Sequence, residues 1–454
     1  MKMEEELSHP QKILLRFFWM KARDNMKNVA RKLHPSDVAG VLYRLTLAEK
    51  QEFLGILFEE GLAASIITYL PEEMARELLA EIPEEQIATM VQRLSADDAV
   101  DFLGYLSDEK KAAVLGSLPP GRRWFYEKLL LYAEDTAGGL MNTDFLALDR
   151  ELTVEDALGV IRSRFRSENY LYVYVTDEHN NLIGVLSFRK LVFAEPTVRL
   201  KEIMIPDPVR VSPRTPQEDV AKLVANYDLL AVPVVDENNK LIGVVEVDDI
   251  IDVIEEEATE DMYHLANVHS EENVFTPLMR TVRLRLSWVL ANLAAAMLGA
   301  VAVGLFRETL GQWVWLAVVI PVLATMTANT GTQTLTVVVR ALVLGELDFR
   351  KGLPVILKEA GVGVLLGLVS GVLLAAGVWA WSGQWVLGLL AGGSLWLSLL
   401  FSTLIGALIP LLLSWLKMDP ARGTSLLVTT ISNIAGFLLL LGLARLVLSG
   451  WLAG

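Results

Sequence analysis

Eleven carboxylates and no Lys or Arg lie between Leu241 and Met279, in a stretch that reads DDIIDVIEEEATED at 248–261 and then adds Glu271 and Glu272. Carboxylates this close repel one another and oppose compact packing. One chemistry suits them: hard divalent cations, held by carboxylate and water oxygens, relieve that repulsion. An anionic lipid surface would be repelled, so membrane adhesion is a poor use for the run. The plainer reading is a solvated acidic helix face. Position favours a cation-sensitive element, because a strongly apolar third of the chain begins immediately afterwards.

The 454 residues leave room for several domains, and a formal charge of -15 argues against nucleic acid as a partner. With no cysteine, disulfides and thiolate metal sites are excluded, and five scattered histidines lack the spacing of a zinc centre. The start, MKMEEELSHPQKILLRFFWMKARDNMK, combines early acids with a short apolar patch and no small-residue cleavage site. It reads as an amphipathic helix over 1–24 and not as a signal peptide. The mean hydropathy of +0.40 averages a charged half and an apolar one.

Five segments of the apolar third, at 286–306, 313–339, 353–381, 385–416 and 426–448, are each long enough for about 30 Å of hydrocarbon. Arg340, Arg350, Lys351 and Lys358 follow the second span, and Lys417 and Arg422 follow the fourth. The opposite connections carry only Arg307 and an uncharged SGQ. Positive charge is retained on the inside, so the N-terminal half is expected in the cytoplasm and the C-terminus outside. An odd number of spans makes an inverted repeat awkward and favours a pore on a dimer axis. Polar residues gather in the second span as TMTANTGTQTLT, and Asn329, Gln333 and Asn433 suggest a hydrated path. Gly363, Gly367 and Gly371 form a close-packing face in the third span, and Glu359 is the only acid committed to a span.

Two repeats organise the charged half. Leu70-Pro71, Ile82-Pro83, Leu94-Ser95, Leu106-Ser107 and Leu118-Pro119 recur every twelve residues, and Leu33, Leu45 and Leu57 extend the rhythm backwards. Pro at a first helical position, Ser as cap and acids in the first turn mark repeated helix starts, which predicts a small solenoid over 25–132. Further on, YVYVTDEHNNLIGVLSFRKL matches AVPVVDENNKLIGVVEVDDI, each predicted as strand, Asx-rich turn, strand ending at Gly184 or Gly243, and helix. Upstream, MNTDFLALDRELTVEDAL echoes MIPDPVRVSPRTPQEDVA. This half resembles a pair of cystathionine-β-synthase-type (CBS) domains, expected at 133–198 and 199–254. Such pairs often hold adenine nucleotides through a Ser or Thr and an Asp three residues on. Here Ser187 is followed by Lys190 and Asp249 is preceded by Glu246, so neither signature is complete; Ser187 and Asp249 are the nucleotide-binding candidates.

Taken together, EDTAGGLMNTDFLALD, VDDIIDVIEEEATEDMYHL, PVLATMTANTGTQTLTVVVRAL and KEAGVGVLLGL resemble the MgtE-type magnesium channels over nearly the full length. The resemblance implies a multi-domain membrane protein: an all-α superhelical N-domain, an α+β CBS pair, an acidic linker and plug helix over 255–282, and a five-helix transmembrane domain over 283–454. It implies no enzyme but a homodimeric channel in the cell (inner) membrane, taking up Mg2+ passively, with cytoplasmic carboxylates sensing Mg2+ and ATP as a regulatory ligand. The sensing role would fall to Asp97 and Asp101, in the family's D-D-x-x-D pattern on the N-domain, to Glu218, Asp228, Asp249 and Asp252 on the CBS side, to Glu257, Glu260 and Asp261 before the plug, and to Asp419 below the membrane. Asn329, Thr330, Gly331, Gln333 and Asn433 would line the pore.

The chain departs from the family pattern at Asn433, where relatives carry an Asp, and at Thr325, Thr327 and Ala328, where they carry glycines. Losing a charged ligand weakens divalent selectivity, so a gate conducting another divalent cation such as cobalt stays open as an alternative. So does a non-conducting membrane sensor of Mg2+ or nucleotide. No G-x-x-x-x-G-K-[ST] segment is present, which favours passive conduction over pumping.

Overall fold

The computed structural model describes residues 7–164, 170–270, 272, 274 and 276–452. It divides into two compact units, 1–256 and 257–454. Glu271 and the first six residues of the expected N-terminal helix lie outside the described residues.

The first unit opens with ten helices: α1 (His9–Trp19), α2 (Arg23–Ala30), α3 (Pro35–Leu42), α4 (Leu47–Phe58), α5 (Ala63–Ile67), α6 (Glu72–Glu81), α7 (Glu84–Val91), α8 (Ala96–Gly104), α9 (Asp108–Ser117) and α10 (Pro120–Leu129). The twelve-residue rhythm is visible in the starts of α6 to α10. Ser107 caps α9 by accepting from the Lys110 N–H, as expected, but Pro71, Pro83 and Pro119 occupy the cap position, one residue before the first helical turn. The rhythm slips at Leu57, where α4 runs on to Phe58 and α5 begins only at Ala63. The segment 1–24 is not one isolated amphipathic helix either. The chain turns at Lys21, with φ 54°, and α1 buries Leu14, Leu15 and Phe18 in the same core as Phe53, Phe102 and Tyr126.

Next come α11 (Ala137–Leu140), β1 (Ala147–Asp149), α12 (Val154–Arg164), β2 (Tyr172–Thr176), β3 (Leu182–Ser187), α13 (Phe188–Phe193), α14 (Leu200–Ile203), β4 (Ile205–Pro206), α15 (Gln217–Tyr227), β5 (Ala231–Val235) and β6 (Leu241–Glu246). β1 pairs parallel with β2, which runs antiparallel to β3, and β3 takes β4 antiparallel; β5 and β6 form a second antiparallel pair. The two sheets meet over Tyr174, Leu182, Val235, Leu241 and Val244. The strands do not end at Gly184 and Gly243 but continue to Ser187 and Glu246. Those glycines are needed because a methionine lies on each: Met204 on Gly184 and Met141 on Gly243, where any Cβ would collide with the thioether. Each copy's leading Met thus packs into the other copy's strand, so the pair is interlocked.

α16 (Val247–Leu265) leaves the second sheet as one helix, so the division expected at 254/255 falls inside it. The second unit contains α17 (Leu278–Gly304), a short α18 (Arg307–Gln312), α19 (Trp315–Val343), a 3-10 turn at Phe349–Lys351, α20 (Gly352–Ser382), α21 (Trp385–Trp415) and α22 (Thr424–Leu452). Five of these helices are long and apolar enough to cross a membrane. Trp315 stacks edge-on with Trp381 at one end of the bundle, and Phe349 lies against Trp415 at the other, as suits two interfaces. α20 packs along α21 through Gly363, Gly367, Gly371 and Gly392, where backbones touch. The last residue of α16, Leu265, packs against Leu335 and Val339 of α19 and Val428 of α22.

Candidate functional site

Two constellations stand out, one in each unit. In the first unit a cavity of about 570 Å3 opens between the helical solenoid and the second CBS copy. Its lining includes Glu72, Asp98, Asp101, Glu134, Asp135, Asp249, Asp252 and Glu256 against one cation, Arg76, which already binds Glu72 at 2.7 Å. α8 supplies Asp97, Asp98 and Asp101: the spacing i, i+1, i+4 puts the first and last on one face. α16 supplies Asp249, Asp252 and Glu256 by the same periodicity.

Crowding is expressed in protonation. Burial first, then the charges of Asp97, Asp98, Glu134 and Glu256, push the Asp101 carboxyl up to about 7. Burial, followed by Asp97, Asp248, Glu246 and Asp98, pushes Asp249 up to about 8. Asp97 and Asp252 are raised too, chiefly by burial. Beside them the Tyr105 phenol is pushed to about 12 by burial and by Asp101. Asp97 Oδ1 and Asp249 Oδ2 are buried and accept no hydrogen bond. A buried carboxylate oxygen without a donor is unfavourable, and a cation with its water shell is the natural complement. Among the described residues no three Asp, Glu or His side chains converge as a ready-made ion cage. A Mg2+ ion binding here would keep several of its waters, as that ion usually does.

Asp97, Asp101, Asp249 and Asp252 are thus brought together. Glu218 is not among the lining residues; it pairs with Lys222 at 2.8 Å along α15. Asp228 ends that helix in a left-handed conformation, exposed. Glu257, Glu260 and Asp261 lie on the second half of α16, where Glu260 meets His264 at 3.0 Å. Asp419 caps the turn into α22, its Oδ1 accepting from the Ala421 N–H at 2.8 Å. Ser187 uses its hydroxyl to cap α13, accepting from the Lys190 N–H at 3.2 Å, while Asp249 belongs to the acidic cavity. These two nucleotide candidates make no joint site among the described contacts, and polyphosphate would be repelled by the acids around Asp249. Sequence reading missed Glu72, Glu134, Asp135 and Glu256; only the tertiary fold brings them to one cavity, although the D-D-x-x-D run already contained Asp98.

In the second unit, Thr325, Asn329, Gln333 and Thr336 form an exposed stripe along α19. Thr325 and Thr336 return their hydroxyls to Pro321 O and Thr332 O at 2.9 Å, leaving the two amides as the free polar groups. Thr330 and Gly331 face elsewhere. A Cβ at Gly331 would stand 2.6 Å from Ser402 Oγ and 2.9 Å from Val428, so this glycine serves packing among α19, α21 and α22. Asn433 is half-buried and accepts at Oδ1 from the Thr327 hydroxyl at 2.9 Å, while Ser402 donates to Thr327 O at 2.6 Å. Thr327 stands out in the sequence only as a departure from the family's glycines and Ser402 not at all, because a lone hydroxyl in a span usually bonds to its own helix.

Comparison with known proteins follows the same order along the chain. Family models match for the MgtE intracellular N domain at 33–135, for CBS domains at 137–196 and 200–256, and for the MgtE divalent cation transporter at 320–443. Over 429 residues the chain is 37% identical to the magnesium transporter MgtE of Thermus thermophilus, covering 93% of this chain and 95% of that one. This chain belongs to the MgtE family of magnesium transporters. The MgtE of Bacillus subtilis is 32% identical over 425 residues, covering 93% and 94%. Among solved structures, the cytosolic domain of the Mg2+ channel MgtE in complex with ATP is similar over 54% of this chain and 99% of that one, at 34% identity and a TM-score of 0.51. The soluble part of a magnesium transporter is similar over 55% and 98%, at 31% identity and the same TM-score of 0.51. The acidic cavity lies within the matches to the MgtE intracellular N domain and the CBS domains, and the polar stripe lies within the MgtE transporter match.

Proposed function

We propose that this MgtE protein is a homodimeric channel for passive Mg2+ uptake, closed from the cytoplasmic side when carboxylates of the acidic cavity hold Mg2+. The observation that carries the reading is the cavity itself: eight acids against one already paired cation, with Asp97 Oδ1 and Asp249 Oδ2 buried and unbonded. Bound Mg2+ supplies the positive charge that lets α8 and α16 approach. Without it, the crowded acids of the cavity oppose close approach and the two helices part. α16 carries the difference onward, because its far end, Leu265, packs on α19 and α22. A regulatory ion of this kind acts only through its differential affinity for the two states, and about 5.5 kcal/mol would switch them almost completely.

Conduction is assigned to the α19 stripe. Asn329 and Gln333 are exposed on one protomer, and hydrocarbon is a poor solvent for amides, so a second copy across a two-fold axis would enclose them in a wet path. A potential of about 100 mV is worth roughly 4.6 kcal/mol for a divalent ion, which suffices without ATP hydrolysis. The N-terminal unit is placed in the cytoplasm and the C-terminus outside. ATP, found in the related cytosolic domain, enters only as a regulatory ligand of the CBS pair. The neutral Asn433 keeps a second reading alive, the same gate conducting a less selective set of divalent cations. Mg2+ flux into liposomes carrying the full-length protein tests both: uptake abolished by Mg2+ on the cytoplasmic face supports the proposal, and absence of any flux leaves a sensor instead.

A further inference from the structure

The five spans contain a single acid, Glu359 in α20. It lies about 10 Å along the helix from Gly352 and is 6% exposed. An ionisable side chain in an apolar helix is unfavourable and points to a use. Thr334 of α19 donates its hydroxyl to Glu359 Oε2 at 3.1 Å, and the Lys358 ammonium lies 3.4 Å from Oε1. Lys358 is 67% exposed, so solvent screens its charge far more than that of its buried neighbour.

α20 packs chiefly along α21 and meets α19 through the Glu359–Thr334 hydrogen bond. α21 in turn lies close on α19 there: a Cβ at Gly406 would stand 2.6 Å from Gly331 O and 3.1 Å from Thr334 Cβ. Thr334 adjoins Gln333, which belongs to the exposed stripe on the other side of α19. The carboxylate therefore stands about one helix diameter, roughly 10 Å, behind the polar stripe. A charge in a low-dielectric interior acts over that range and attracts a divalent ion twice as strongly as a monovalent one. The stripe itself presents only neutral oxygens and amides.

We propose that Glu359 is a specificity-determining residue of the permeation path, acting through space from behind α19 to favour divalent over monovalent cations on the Asn329–Gln333 stripe. This rests on the reading of that stripe as the path. The test is ion flux into liposomes carrying the full-length protein, with Mg2+ and K+ as probes. Glu359→Gln keeps an acceptor for Thr334 and removes the charge. It should raise the half-saturating Mg2+ concentration on the order of ten-fold while changing K+ leak only about three-fold, half the energy for half the charge. Lys358→Gln should move the same quantity the other way. Thr334→Val, which removes the hydrogen bond and keeps the charge, should leave the Mg2+ to K+ preference within roughly two-fold of the parent. An unchanged preference in Glu359→Gln overturns the proposal, as does a Thr334→Val variant that behaves like it, since the residue would then be a packing strut. Where Glu359→Gln does not fold, a clear shift of the Mg2+ to K+ preference in Thr334→Val overturns it equally. A parent protein that conducts no divalent ion overturns the path reading instead.

Discussion

The two polar regions of this protein solve opposite problems with opposite means. Around the cavity of the first unit, Asp97, Asp101, Asp249, Asp252 and Glu256 are crowded until Asp101 and Asp249 retain protons near neutrality. Along α19 the polar groups are neutral, and the one acid of the spans is set back behind Thr334. A sensor benefits from strong, saturable charge, because it must change state when the ion binds. A conduit benefits from weak ligands, because an ion held tightly does not leave. On the proposed function, charge is concentrated where a cation is to be held and thinned where it is to pass.

Breaking the first half of that contrast should have the largest effect. Neutralising Asp101 and Asp249 together, Asp101→Asn with Asp249→Asn, removes two of the carboxylates through which Mg2+ would draw α8 and α16 together. The full-length protein in liposomes should then need about ten-fold more Mg2+ for closure or lose closure altogether; an inhibition curve identical to the parent's would place the sensor elsewhere. The packing that shapes the conduit comes next. Gly331→Val forces a side chain against Ser402 and Val428, which should destabilise the membrane unit by about 1–3 kcal/mol, read as a lower midpoint in thermal unfolding in detergent. An unshifted midpoint would mean that α19 and α21 are not in contact there.

Adding charge to the conduit sharpens the contrast. Asn433→Asp keeps the acceptor for Thr327 and should strengthen Mg2+ block of monovalent flux several-fold, on the order of one charge at close range. No change would remove Asn433 from the path. The smallest effect is on pH dependence. Asp101 and Asp249 bind protons more tightly folded than unfolded, so the folded state takes up more protons. Metal-free stability should therefore fall as pH rises from about 4, where unfolded carboxylates ionise, to about 8, the value to which Asp249 is pushed. Mg2+ should flatten that decline; a rise in metal-free stability over the window would contradict the crowding.

Much of this architecture is legible in the chain because its signals are local. The helix starts after Pro71, Pro83, Ser95, Ser107 and Pro119 are set by capping chemistry, and the spans by length and hydropathy. What the sequence hides depends on distant partners. Gly184 and Gly243 look like strand ends until Met204 and Met141 are seen lying on them. The D-D-x-x-D run and the acids of 248–261 announce themselves, yet Glu72, Glu134 and Asp135 join them only by tertiary folding. Glu218 and Asp228 are equally acidic by composition but are not drawn into the cavity; one is paired to Lys222 and the other ends a helix. Thr330 and Gly331 share a motif with Asn329, and the helical turn alone sends them to a different face.

Hydrogen exchange of α8 and α16, followed in the full-length protein as Mg2+ is titrated and with flux recorded on the same liposomes, bears most directly on the crowded-carboxylate gate. Protection of both helices should rise together through roughly the millimolar range, with a midpoint matching loss of flux. Exchange that is indifferent to Mg2+ while flux still closes would show that these carboxylates are not the sensor.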